Sequence, residues 1–323
     1  MGSPEIAVPF LETLNQQEEV IGVVTQPDQP AGRGYKLKAP AVKEAARRLG
    51  LSVHQPQKLK SNTAFLELLK NLGIDLSVII AYGKILPAEI LEVPRTGSIN
   101  IHFSLLPKYR GPAPIQWALI NGEEETGVTI FWLNEKIDAG EIILQEKIKI
   151  APEDNYNSLS AKLVRLGISA LGKATKLIKE GQAPKIAQMP AEASYAPLIH
   201  KTDAQIKWAK TSGEIHNLVR GLIAWPGAYT SYRTPAGGNK ILKILQAAIY
   251  IVPDNGLSSE AKPGEIIAIK KEGLLVQCGQ GLLLIKQVKL EGARAMSSYD
   301  FIQGHKIKTG EVLGEPSGNN KIA

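Results

Sequence analysis

The sequence predicts an α/β protein: a Rossmann-like, mostly parallel sheet followed by a second, smaller C-terminal β domain. Three observations carry this. Short apolar runs alternate with amphipathic stretches through the first half. The second half reads as strands at short spacing, broken by Gly and Pro. The chain has 323 residues, about twice an ordinary domain.

Taken in order, Val20 to Thr25 is the first apolar run and reads as a strand, and Leu76 to Ala81, Ser98 to His102 and Val128 to Trp132 repeat it. Between them Pro40 to Leu49, Asn62 to Leu72 and Pro112 to Ile120 have helical spacing, each opening on a Pro or Asn that suits a helix N-terminus. Ile142 to Ile150 alternates apolar with polar, as an antiparallel edge strand does, and Ser158 to Glu180 is a long helix stopped by Gly181. Residues 1–181 are thus expected to form the first domain. Pro184, Pro190 and Pro197 break any period between 182 and 202, which reads as an extended linker. After a short helix at Gly213 to Leu222 come five strands: Ala228 to Arg233, Lys240 to Val252, Gly264 to Lys270, Leu274 to Cys278 and Leu282 to Leu290. They predict a small OB-like barrel over 203–311, with 312–323 as a tail.

Composition narrows the class. Hydrophobic residues at 44% and charged residues at 21% are ordinary for a globular chain, and 30 Gly and 20 Pro exclude a collagen-like or low-complexity one. A single cysteine, Cys278, leaves no intramolecular disulfide. No apolar run approaches the roughly 18 residues that span a bilayer, and no leader pattern opens the chain, so the expectation is a cytoplasmic protein. The formal charge is +7, which makes a polyanion such as nucleic acid a partner to consider. The excess is C-terminal: from Asp203 onward there are 15 Lys and Arg against 10 Asp and Glu.

The most informative stretch is Ser98-Ile-Asn-Ile-His-Phe-Ser-Leu-Leu-Pro-Lys-Tyr-Arg-Gly-Pro-Ala-Pro114, where a strand ends in Asn100 and His102 ahead of a Gly/Pro-rich loop. Residues two apart share a strand face, and the carboxyl ends of parallel strands line the crevice where open α/β sheets bind ligands. An Asn amide donates to a developing oxyanion, and a His moves a proton near neutral pH, a pair suited to acyl or formyl transfer. A third group would hold the imidazole's orientation, and Asp138 in Ile137-Asp-Ala-Gly-Glu141 follows the next strand. Alone, each has an ordinary structural reading; together, the spacing singles them out.

These motifs, Asn100-Ile-His102, Ser104-Leu-Leu-Pro107 with Arg110-Gly111, and Asp138-Ala-Gly140, resemble the active-site motifs of the 10-formyltetrahydrofolate-dependent formyltransferases. Gly2-Ser-Pro-Glu-Ile-Ala7, Thr25-Gln-Pro-Asp-Gln-Pro-Ala-Gly-Arg-Gly34, Tyr82-Gly-Lys-Ile-Leu-Pro87 and Trp225-Pro-Gly-Ala228 point to the branch acting on aminoacyl-tRNA. The resemblance runs from Gly2 to around Asp300. It implies formyl transfer from 10-formyltetrahydrofolate to the α-amino group of initiator methionyl-tRNA, without a metal; a monomer is expected, though the resemblance does not supply it. In that family's terms Asn100 polarises the formyl oxygen, His102 handles the amine proton and Asp138 sets His102. Ser104, Leu105, Leu106 and Pro107, with Tyr82 and Gly83, line the folate.

Arg33, Lys36, Lys38 and Lys43 lie in a basic stretch whose glycines at 32 and 34 predict a mobile loop able to neutralise phosphates. The resemblance makes it the loop that enters the acceptor arm of the tRNA, and the basic barrel a platform for the tRNA backbone. Lys207, Lys210, Arg220, Lys240 and Lys243 are the candidates there. Two departures stand out. Family members begin with an apolar strand ahead of the Gly-Ser-Pro turn, whereas Met1 precedes Gly2 directly, so the first β-strand is expected to be missing from this chain; and Phe103 replaces a small residue, which would narrow the folate slot. Formyl transfer to another amine, hydrolysis of formyltetrahydrofolate, and RNA binding on a catalytically dead scaffold remain rival readings.

Overall fold

The computed structural model describes residues 1–31, 36–235, 237–251 and 261–314. Compactness divides the chain into two units, one built from Met1–Ile115, Glu124–Ile150 and Leu159–Leu198, the other from Gln116–Glu123, Ala151–Ser158 and the residues from Ile199 onward. In chain order the elements as far as residue 179 are α1 (Val8–Gln17), β1 (Val23–Val24), β2 (Gln29–Ala31), β3 (Lys36–Lys38), α2 (Ala41–Arg48), β4 (Val53–His54), α3 (Thr63–Asn71), β5 (Leu76–Ile79), α4 (Ala88–Leu91), β6 (Gly97–His102), α5 (Pro114–Ile120), β7 (Glu125–Trp132), β8 (Ile142–Lys149) and α6 (Tyr156–Lys179).

The sheet is mixed rather than mostly parallel. β5 and β6 run parallel, as do β1 and β4, but β6–β7 and β7–β8 are antiparallel. In the antiparallel register of β6 and β7, His102 pairs with Thr129.

Met1 and Gly2 join the two halves of this sheet. Gly2 N–H donates to the Val24 carbonyl at 3.0 Å, Ile80 N–H donates to the Met1 carbonyl at 2.9 Å, and Gly2 forms a parallel bridge with Ile80. Beside them opens a cavity of ≈ 700 Å³ lined by Leu11, Val23, Leu69, Val78 and Ile178 among others. His54 also lines it, its Nε2 buried without a partner. The N-terminal ammonium donates to the Val78 carbonyl, and burial pushes its pKa from 8.0 to about 5.

One cluster of this unit gathers Val24, Leu59, Phe65, Leu69, Ile79, Tyr82 and Ile90. Elsewhere Gly167 lets α6 lie against Phe10, where a Cβ would stand 2.8 Å from the ring. Phe10 in turn meets the edge of Phe103 at 6.1 Å between centroids, so Phe103 is 6% exposed and packs inward.

In the second unit α7 (Ser212–Gly221) opens on a reciprocal cap, Thr211 Oγ1 accepting from Glu214 N–H and Glu214 from Thr211 N–H. β9 (Tyr229–Arg233), β10 (Asn239–Tyr250), β11 (Ile266–Lys270), β12 (Gly273–Gln277) and β13 (Leu282–Leu290) follow, then β14 (Ala295–Ser297) and α8 (Ser298–His305). The hydrogen-bonded path is β11-β12-β13-β10-β9 with β14 on β13, all antiparallel; among the described residues it does not close into a barrel. Its core packs Trp208, Ile215, Tyr232, Leu242, Ile285 and Phe301. Trp208 Nε1 donates to Thr230 Oγ1 at 3.0 Å, which satisfies the one polar atom of that indole. No helix among the described residues is long and apolar enough to cross a membrane.

Candidate active site

β6 delivers Asn100 and His102 two residues apart on one face, Asn100 at its last pair with β5, opposite Ile79, and His102 beyond that pairing. His102 is 6% exposed. Its Nε2 lies 2.8 Å from the Tyr109 carbonyl oxygen. A carbonyl only accepts, so Nε2 carries the hydrogen and the lone pair of the neutral ring sits on Nδ1. That atom faces Oδ2 of Asp138 at 3.7 Å, close enough for charge to act and too long for a hydrogen bond.

Asp138 occupies the left-handed region at φ 47° and its Oδ2 accepts the Gly111 N–H at 2.8 Å. Gly111 has to be glycine: its φ is +120°, and a Cβ would stand 2.6 Å from the Ala196 carbonyl. Asn100 Oδ1 is buried with no hydrogen-bond partner. An orphan acceptor beside a histidine marks a place for a donor that the protein itself does not supply. His102 and Asp138 thus face each other, and Asn100 precedes His102 by two residues on the same strand. The ≈ 700 Å³ cavity shares none of its lining with them.

The loop after β6 is held from beneath. Thr129 Oγ1 donates to the Ser104 carbonyl at 2.7 Å, and accepts from Leu106 N–H at 3.1 Å and from Gln145 Nε2 at 2.9 Å. Gln145 Nε2 also donates to the Leu106 carbonyl, and Ser104 Oγ donates to that of Lys108 at 2.6 Å. Ser104 and Leu106 are buried, whereas Leu105 and Pro107 are half-buried. Tyr82 is 2% exposed, its hydroxyl buried without a partner and its pKa raised by that burial, while its carbonyl accepts from Gln26 Nε2 at 2.7 Å. Gly83 is exposed at φ +78°.

Arg33 lies outside the described residues, and so does the side chain of Lys36. What is described of the basic stretch is a hairpin root: β2 and β3 pair antiparallel, Gln29 with Lys38 and Ala31 with Lys36. Lys38 is exposed. Lys43 is not: it is 8% exposed and donates to both Asp28 carboxylate oxygens at 2.7 Å, pinning α2 to the start of β2. Gln55 and Lys43 hydrogen bonds hold the Asp28 pKa below its ordinary value. In the second unit Lys207 and Lys240 are exposed. Lys210 pairs with Glu214, Arg220 donates to Asn217 and to the Ala151 and Asp154 carbonyls, and Lys243 donates to the Pro226 carbonyl.

Sequence reasoning passed over Thr129, Gln145, Gln188 and Ser194, which hold the site's loops. Thr129 and Gln145 sit on cross-strand partners of β6 and β7; Gln188 and Ser194 lie in the stretch read as linker and carried no local signal. Among the described residues no three His, Cys, Asp or Glu side chains are grouped to hold a metal.

Two family models match the chain: formyl transferase over residues 3–175, and formyl transferase, C-terminal domain, over 198–306. The methionyl-tRNA formyltransferase of Pelotomaculum thermopropionicum is 42% identical over 316 residues, covering 98% of this chain and 97% of the relative. That of Syntrophus aciditrophicus is 44% identical over 317 residues, 97% of both. Among solved structures, WlaRD, a sugar 3N-formyl transferase in the presence of dTDP and 5-N-formyl-THF, superposes with a TM-score of 0.61 at 20% identity over 91% of this chain and 97% of that one. HypX from Aquifex aeolicus in complex with tetrahydrofolic acid gives 0.56 at 18% identity over 80% of this chain and 43% of that one.

Proposed function

Because the chain belongs to the formyl transferase family through both its N-terminal and C-terminal parts, we propose that Asn100, His102 and Asp138 carry its reaction. That reaction is formyl transfer from 10-formyltetrahydrofolate to the α-amino group of initiator methionyl-tRNA, the activity in the name of relatives matched over nearly the whole chain.

The observation that supports the roles is the pairing of an orphan amide oxygen with an imidazole whose free nitrogen faces a carboxylate. The fit is chemical. The donor supplies an activated formyl carbon; attack by an amine builds negative charge on the formyl oxygen and positive charge on nitrogen in the same step. Asn100 Nδ2–H donates to that oxygen, and Oδ1 accepts an N–H of the amine. His102 Nδ1 takes the amine proton, because Nε2 is committed to the Tyr109 carbonyl, and Asp138 stabilises the imidazolium so formed; that proton then passes to N10 of the folate as the formyl–N10 bond breaks, leaving tetrahydrofolate and the formylated amine.

Leu105 and Pro107 with the Gly83 backbone are the parts open to a folate, and Ser104, Leu106 and Tyr82 shape the loops from within. Arg33, Lys36 and Lys38 are read as contacts to tRNA phosphates, with Lys43 as an internal anchor of α2. We also read the second unit as an OB-like tRNA-backbone platform, with the exposed Lys207 and Lys240 among its cations; the register shifts in β10 suit the bulges that curve such a sheet.

The test is formyl transfer to charged initiator and elongator tRNAs. Asn100→Ala is expected to lose about 10²–10³ in kcat with its Tm unchanged, as deletion of one oxyanion donor does elsewhere. Full kcat in Asn100→Ala, or formyl release to water at the same rate with and without tRNA, overturns the reading.

A further inference from the structure

Residues 184–196 leave α6 and bind, stitch by stitch, to the two segments that flank His102. Near one end Trp132 Nε1 donates to the Pro184 carbonyl, and Ile186 exchanges both backbone hydrogen bonds with Ile142 at 2.7 and 3.0 Å. At the other, Ser194 accepts from Tyr109 N–H on its Oγ at 2.9 Å and from Arg110 N–H on its carbonyl at 2.8 Å. Ala196 N–H returns to the Arg110 carbonyl at 2.7 Å. Tyr109 is the residue whose carbonyl fixes the His102 ring.

Between these anchors Gln188 makes four hydrogen bonds. Its Oε1 accepts from Arg110 Nε at 3.1 Å and Nη2 at 2.7 Å. Its Nε2 donates to the carbonyls of Asp138 at 3.0 Å and Gly140 at 2.8 Å. The chemistry admits few substitutes. Arg110 only donates and the carbonyls only accept, so the bridge needs an acceptor and two N–H groups on one carbon, which is a carboxamide. Arg110, 8% exposed, is itself held by the backbone of Ser194 and Ala196.

The consequence falls on Asp138. A non-glycine residue in the left-handed region persists only where its surroundings over-determine it, and Gln188 grips the carbonyls on both sides of the Asp138–Gly140 turn. That grip sets the direction of the Asp138 side chain, and with it the approach of Oδ2 to His102 Nδ1. We propose that Gln188 is a positioning residue for formyl transfer, acting through Asp138. The inference rests on the reading of Asp138 and His102 given above.

Gln188→Glu separates the roles, since a carboxylate keeps Arg110 but offers the two carbonyls no hydrogen. The expected result is a Tm within about 2 °C of the parent, kcat lowered roughly tenfold or more, as small displacements of catalytic groups produce, and KM for folate and tRNA within about twofold. Gln188→Ala, whose four partners at this half-buried position can bind water, is expected to show the same split. On an Asp138→Asn background neither change should lower kcat by more than about twofold further, because a residue acting through Asp138 has nothing left to position. Wild-type kcat in both variants overturns the inference, as does an equal loss on the Asp138→Asn background or a failure of both to fold. If Asp138→Asn is itself fully active, the catalytic reading fails; if it is impaired while Gln188→Glu is not, only this inference fails.

Discussion

A backbone carbonyl determines which nitrogen of His102 can take a proton. With the Tyr109 carbonyl at 2.8 Å from Nε2, the free lone pair is on Nδ1, and that atom faces Asp138. Ionisable residues that look alike in the sequence diverge for similar reasons. Lys38 is exposed, whereas Lys43, five residues on, is enclosed by Asp28; a count of positive charge cannot separate them, because burial depends on what the helix packs against. Cys278 is 0% exposed and burial pushes its thiol up to about 12. Since the thiolate is the reactive form, the folded protein at pH 8 is expected to resist a chromogenic disulfide reagent, and one equivalent of thiol should appear on unfolding in urea. Rapid labelling of the folded chain would contradict this.

At the scale of elements, strand pairing and close backbones shape the site. The antiparallel course of β7 brings Thr129 beside His102, where it holds the Ser104–Pro107 loop. The turn that carries Asp138 depends on Gly140, where a Cβ would stand 1.7 Å from the Trp132 carbonyl. Backbone cannot yield as a flexible side chain does, so Gly140→Ala must displace the turn. The expected cost is about 1–3 kcal/mol, the range for overpacked sites, read as a lower urea midpoint, and kcat should fall with it. An unchanged midpoint would mean the turn is looser than its hydrogen bonds to Gln188 imply. The stretch from Pro184 to Ala196 belongs here too: it lacks a hydrophobic period and holds only a short 3-10 turn at Pro190–Glu192, yet its backbone is bonded at both ends, which is structure that a periodicity search does not detect.

For the whole molecule, Met1 and Gly2 tie β1 to β5, Gly2 N–H donating to the Val24 carbonyl and Ile80 N–H to the Met1 carbonyl. Much of the architecture was legible beforehand. Polar-apolar alternation marked β8, Gly181 stopped α6 two residues past its last helical residue, and Asn100-Ile-His102 with Asp138 stood out by residue type and spacing, because periodicity, capping and side-chain chemistry are local properties. The direction of β7, the open path of the C-terminal strands, the burial of Lys43 and Tyr82 and the clamp by Gln188 were not, since each depends on which distant segment a residue meets. The amino-acid order by itself determined the α/β class, the succession of elements and the chemical groups available for catalysis. Tertiary structure decided their pairing, their burial and the hydrogen bonds that aim them, because those are set by contacts between residues far apart in the chain.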